Sequence, residues 1–238
     1  MSNLSTHLIR IKGFTLTLLL GQPNTRPTNK LRPALTNQWF GLERLLRLSL
    51  ALLLFIFPGL YIRAFFGRFG LLGRKLGVEL YVMIKLFLPI IFFKLGWTDN
   101  IIVALFAGIM IIETVLYLAS LIFLSTEFAQ PISYKRSLIS VFINYIEICL
   151  DYAVIYSYCN YNITGFFNEK LTSNFQAIYF SFVTSATVGF GDIVTKNHFG
   201  QLLVVTQIIL FLFFAGLFIS FFASKIHDPT YYNTKRKL

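Results

Sequence analysis

Acidic residues are scarce: ten Asp and Glu stand against 21 Lys and Arg, and charged residues of both signs make up only 13% of the chain. The net charge of +11 is compatible with nucleic-acid binding. The Lys and Arg flank apolar runs, however, and do not gather on a polar face. Basic segments beside a membrane are therefore expected, and no nucleic-acid partner. Cysteine is nearly missing too. Cys149 and Cys159 fall on one predicted helix, too far apart along it to pair. They have no zinc-type spacing. No phosphate-binding loop, metal cluster or nucleophile–base pair occurs, so no enzyme and no cofactor are expected.

What the chain has is apolar length. Of its 238 residues, 56% are hydrophobic, 27 are phenylalanine, and the mean hydropathy is +0.68. These values predict an all-α membrane protein surrounded by a lipid bilayer. Residues 1–44 are polar, basic and punctuated by Pro23, Pro27 and Pro33. Arg10 and Lys12 before residues 14–20 resemble a signal peptide, but the run is short and no small-residue cleavage site follows. A cytoplasmic arm touching the membrane surface is the expectation. Three apolar segments follow, at 45–62, 78–97 and 101–124, and a polar linker at 125–134 leads to a fourth at 135–159. The first is about 27 Å long and carries Pro58-Gly59. Its hydrophobicity favours a full crossing, which leaves the basic N-terminus outside, whereas a re-entrant path keeps it inside. The last apolar run, 198–224, precedes a short basic tail at 225–238.

Between the last two runs lies Thr184-Ser185-Ala186-Thr187-Val188-Gly189-Phe190-Gly191-Asp192. Its last six residues resemble the selectivity filter of potassium channels, and the resemblance implies that backbone carbonyls facing a common axis replace the water an ion gives up on entering lipid. Gly189 and Gly191 can adopt the conformations this needs. Ser173 and Gln176 have capping-box spacing, predicting a helix over 173–186 about 20 Å long. Its C-terminal dipole end favours a cation. Thr-Val-Gly-Phe-Gly-Asp resembles the selectivity filter of potassium channels, usually Thr-Val-Gly-Tyr-Gly-Asp. The likeness covers about ninety residues, 133 to 225.

The resemblance implies a pore domain over 125–224 made of an outer helix (135–159), a pore helix (173–186), a filter (187–191) and an inner helix (198–224). About three further membrane helices lie between 45 and 124. The implied assembly is a homotetramer, with K+ held by carbonyls of Thr187, Val188, Gly189 and Phe190 and by the Thr187 hydroxyl. Gly191 completes the filter. Tyr179 and Phe180 stand where paired aromatics brace it, and Asp192 accepts a hydrogen bond from such an aromatic, here Tyr179. The family likeness also implies a bacterial inner membrane, a filter mouth outside, and a cytoplasmic C-terminus. That orientation agrees with Lys135-Arg136 and the tail.

Departures from the pattern matter. Phe190 and Ala186 lack two hydroxyls that usually stand at these positions, which leaves a weakly selective cation channel open as an alternative. A non-conducting or regulatory subunit is another. The usual hinge glycine is Phe211 here, nineteen residues after Asp192, and Gly216 is the glycine within the helix. Thr206 and Gln207 face a wet cavity or serve helix packing. Glu147 and Asp151, four apart, share one helix face. Acids within a span have a partner or a task. Glu147 is expected to brace the pore loop, and Asp151 does so or sits near the outer headgroups. Glu113 is offered as an ion-pair partner of Lys85 or Lys94, with snorkelling lysines the plain alternative. A voltage sensor needs arginines at every third position, and 101–124 has none. The fourteen residues after Ser224 predict no soluble ligand-binding domain.

Overall fold

The computed structural model describes residues 58–123 and 134–226. The arm at 1–44, most of the 45–62 segment, the linker at 124–133 and the tail from 227 lie outside the described residues. Among the described residues six α-helices follow one another: α1 Pro58–Phe66, α2 Gly70–Leu95, α3 Ile101–Phe123, α4 Tyr134–Asn162, α5 Asn174–Ser185 and α6 His198–Ile226. Four of them contain stretches long and apolar enough to cross a membrane: Leu76–Leu95, Ile101–Ala119, Ile139–Asn162 and His198–Leu217.

The described residues fall into two compact units, 58–81 with 115–123, and 82–114 with 134–226. In the first, α1 opens on Pro58, whose fixed φ suits a first helical position. The apolar segment expected at 78–97 corresponds to the membrane-length stretch Leu76–Leu95, and the helix that carries it, α2, begins earlier at Gly70 and runs through Arg74, Lys75 and Gly77. Gly77 is a close-approach site, since a Cβ there would lie 2.2 Å from the Phe66 ring. These glycines admit aromatic rings and do not break the helix.

In the second unit, local signals set the helix starts. Asn100 Oδ1 accepts from the Ile102 amide at 2.9 Å at the head of α3. Asn197 Oδ1 accepts from the Gly200 amide at 2.7 Å at the head of α6. Both are side-chain caps of donors the helix cannot satisfy itself. The apolar contacts between α3 and α4 centre on Val103, Ala107 and Val154, with Phe92 and Phe93 of α2 against them. Ile84, Phe87 and Ile91 of α2 and Ile102, Leu105, Ile109 and Ile112 of α3 remain exposed. Their helical spacing makes faces suited to lipid.

Candidate functional site

Helix α5 is only 12 residues long, and both of its ends are built by sequence. At the start, Gln176 Oε1 accepts from the amides of Thr172 at 2.7 Å and Ser173 at 3.3 Å. At the other end, the Thr187 amide donates to the Thr184 carbonyl at 3.0 Å and the Val188 amide to the Val183 carbonyl at 3.0 Å. This pair of bonds is a Schellman motif, which needs a left-handed residue after the cap. Glycine usually fills that position. Here it is Thr187, with φ 54°, the single non-glycine residue of positive φ among the described residues. A β-branched residue there is strained, by about 1–2 kcal/mol.

Positive φ then recurs at Gly189 (59°) and Gly191 (81°), while Val188 and Phe190 between them stay negative. Alternating hands turn successive N–H groups to one side and leave the carbonyls facing the other. A Cβ built on Gly189 or Gly191 meets nothing within 4 Å in the single chain. Glycine is required there by backbone conformation, not by space. Residues 186–192 are all exposed, Val188 and Phe190 by 50% and 69%.

The outer end of this strand is held from two sides. Tyr179 of α5 places its ring parallel to that of Phe190, centroids 6.5 Å apart. The Asp192 carboxylate accepts from the Tyr179 hydroxyl and holds that phenol above its usual pKa. From the other side, Asn168 Nδ2 donates to the Asp192 carbonyl at 3.0 Å, and its Oδ1 accepts from the Val194 amide at 3.1 Å. Backbone bonds Asn168 N to Val194 O and Lys196 N to Phe166 O, both 2.9 Å, complete the clamp. Phe166 and Phe167 anchor the loop in an aromatic cluster with Tyr156 and Phe180. Phe180, expected to brace the filter, spends its ring in that cluster, 4.8 Å from Tyr156. Of the two paired aromatics, Tyr179 alone turns toward 190–192.

Glu147 is fully buried on α4. Among the described residues of one chain, its ion pair and hydrogen bonds are made with α2 and α3. Lys85 Nζ of α2 lies 3.0 Å from its Oε1, and Thr114 Oγ1 of α3 lies 3.0 and 3.2 Å from its two oxygens. Lys85 also contacts Thr114 Oγ1. Within one chain these bonds tie α4 to the two preceding helices. Asp151, one turn on, is equally buried, and its Oδ2 has no hydrogen-bond partner among the described residues. Glu113 is buried next to Thr114, and Lys94 is exposed.

On α6, Phe211 packs against Tyr145 of α4, centroids 6.2 Å apart, and Gly216 has open space where a Cβ would stand. Both lie within one uninterrupted helix. Thr206 is exposed and accepts from the Tyr152 hydroxyl at 3.1 Å. Gln207 is 1% exposed, so it faces no cavity; its amide is engaged by α4 and α5. Sequence reasoning missed the Lys85–Thr114–Glu147 tie, the Asn168 clamp and the Gln207 contacts. Ser181 and Ser185, four apart and hence on one face of α5, were the available signal for the last of these.

A short helix held between two membrane-length helices, and followed by a segment whose φ alternates in sign, is consistent with a membrane pore. The chain belongs to the ion-channel family, whose model matches residues 109–228. No curated protein sequence matches it significantly, and no solved structure does.

Proposed function

We propose that this ion channel is selective for potassium and conducts through four copies of Thr187–Gly191 arranged around one axis. The alternation of positive φ at Thr187, Gly189 and Gly191 carries this reading, because it aligns the carbonyls that must replace water around a bare cation. The carbonyl end of α5 adds a negative partial charge at the inner entrance. A single strand cannot surround an ion, and closed cyclic symmetry supplies four equal strands. Two features of the single chain support assembly: the exposed filter strand, and the exposed stripe Leu202, Val205, Ile209 and Leu212 on α6. With the filter mouth outside, the basic tail lies in the cytoplasm, as the positive-inside rule requires.

A weakly selective cation channel is favoured by one observation, the absence of hydroxyls at Ala186 and Phe190. Reversal potentials of the purified protein in bilayers under opposed potassium and sodium gradients distinguish the two. A shift close to the potassium equilibrium potential is expected; a reversal near zero favours weak selectivity. No current at all from the protein expressed alone favours a regulatory subunit.

A further inference from the structure

We propose that Gln207 of the inner helix α6 is a positioning residue for the filter, acting through Ser181 and Ser185 of α5. This rests on the potassium reading above and adds a residue outside the filter to it. The side chain enters a dry space between α4, α5 and α6, where only 1% of its surface is exposed. Its Oε1 accepts from the Tyr156 hydroxyl of α4 at 2.9 Å. The two N–H groups of its Nε2 are shared among three acceptors, the Ser181 carbonyl at 3.0 Å and the hydroxyls of Ser181 and Ser185, each at 2.8 Å. A carbonyl can only accept, so the amide is held in one orientation, nitrogen toward α5 and oxygen toward Tyr156.

The surrounding groups fix the rest. The Ser181 hydroxyl donates to the Cys149 carbonyl at 2.6 Å, leaving its lone pairs for Gln207. The Cys149 thiol lies 3.2 Å from the Ser185 hydroxyl. One amide thereby joins the outer helix, the inner helix and the last turn of the pore helix. In a low-dielectric interior, each of these polar groups is costly to leave unpaired, so the network defines one position for the end of α5.

That end leads directly into the filter. Ser185 is the last residue of α5, and the carbonyls of Val183 and Thr184 on the same turn receive the Val188 and Thr187 amides. A displacement of the α5 end therefore moves the first ion ligand with it. Ion ligands need placement to within about 0.5 Å to keep their geometry. A general packing role for Gln207 predicts loss of stability alone. A positioning role predicts altered discrimination between cations of different size.

The test uses the full chain reconstituted in bilayers, with Gln207→Met, Ser185→Ala and the double variant. Rubidium-to-potassium permeability ratio and the open-to-closed ratio are measured beside the heat stability of the assembly. Gln207→Met fills the space without hydrogen bonds. It should change the permeability ratio and lower the open-to-closed ratio by about fivefold, the factor one net hydrogen bond carries. Ser185→Ala should do the same more weakly, and the double variant should be no worse than Gln207→Met. An unchanged Gln207→Met, or strictly additive effects of the two substitutions, overturns the proposal. If Gln207→Met does not assemble, Ser185→Ala decides: an altered permeability ratio supports the proposal, and parent behaviour overturns it. A parent that passes sodium as readily as potassium overturns the potassium reading and, with it, the ion preference assigned to Gln207. An unchanged variant in a selective parent overturns the Gln207 proposal alone.

Discussion

Lys85 Nζ and Glu147 Oε1 lie 3.0 Å apart, with side chains 5% and 0% exposed, inside two of the membrane-length helices. Thr114 bonds to the same carboxylate from a third helix. Removing one member of a buried pair leaves the other charge uncompensated, at a cost of about 3–5 kcal/mol. Lys85→Met and Glu147→Ala should therefore each lower the heat stability of the assembly strongly and to a similar degree. Glu147→Gln should be milder, since it still accepts from Thr114. The double variant Lys85→Met, Glu147→Met should recover most of the loss, because apolar replacement of both partners is often close to neutral. Thermal melts in detergent give the comparison. If Glu147→Ala shortened open times while Lys85→Met left them untouched, Glu147 would be acting on the filter and not through α2.

Thr187 separates two effects that usually come together. Thr187→Gly places the preferred residue in the left-handed position of the Schellman motif, relieving about 1–2 kcal/mol of strain in each chain. The variant should melt at a higher temperature than the parent and yet lose potassium selectivity, for want of the hydroxyl. A variant with parent-like selectivity argues against Thr187 as an ion ligand.

Gly189→Ala tests the neighbouring position in the opposite sense. Its Cβ has free space in the chain, so the whole penalty is the φ of 59°, about 1–3 kcal/mol per subunit. Selective conduction should be abolished, as reversal potentials will show. Retained selectivity would falsify the filter assignment.

The Tyr179–Asp192 contact carries a pH signature. Asp192 raises the Tyr179 pKa above its ordinary value near 10, so the protonated phenol is favoured in the folded state. The contribution is complete below about pH 10 and is lost as pH rises through the raised pKa. Currents should be insensitive to external pH from this source between about 6 and 9, and should run down in stronger alkali. Tyr179→Phe should remove the alkaline component of that rundown. An alkaline rundown identical in Tyr179→Phe assigns it elsewhere.

Voltage dependence should be shallow. Helix α3 carries no Lys or Arg, and Lys85 of α2 is committed to Glu147. One elementary charge crossing the field is worth about 2.3 kcal/mol per 100 mV, so steep gating needs several such charges. Open probability measured from −100 to +100 mV on this scale should change little. A slope equivalent to several charges per subunit contradicts the assignment.

Apolar run length and one hexapeptide made the helical membrane architecture and the channel family legible, because both signals are local in sequence. Ser173 and Gln176 announced the start of α5 in the same way. The partners of Glu147 were not legible. Lys85, Thr114 and Glu147 come from three helices, and only tertiary packing brings them together. Gln207 was left between two readings for a related reason: a polar residue on an apolar helix points to water or to a buried partner, and spacing alone does not choose; the structure gives the buried partner. The membrane-length part of α2, Leu76–Leu95, was legible to within two residues; its extension back to Gly70, with Gly77 against the ring of Phe66, was not.

The outer loop has a practical use that follows from where its anchors begin. Phe166, Phe167 and Asn168 fasten it to the core and to the strand beyond Asp192. Thr164 and Gly165 just before them are exposed, and Gly165 has empty space around it. An epitope or fluorophore-acceptor peptide inserted between these two residues will lengthen the loop ahead of its anchors and leave the pairing with 194–196 in register. The same insertion after Asn168 will pull the clamp out of step with the mouth of the pore. Position 164–165 is thus the site for labelling the loop between α4 and α5 in a working channel.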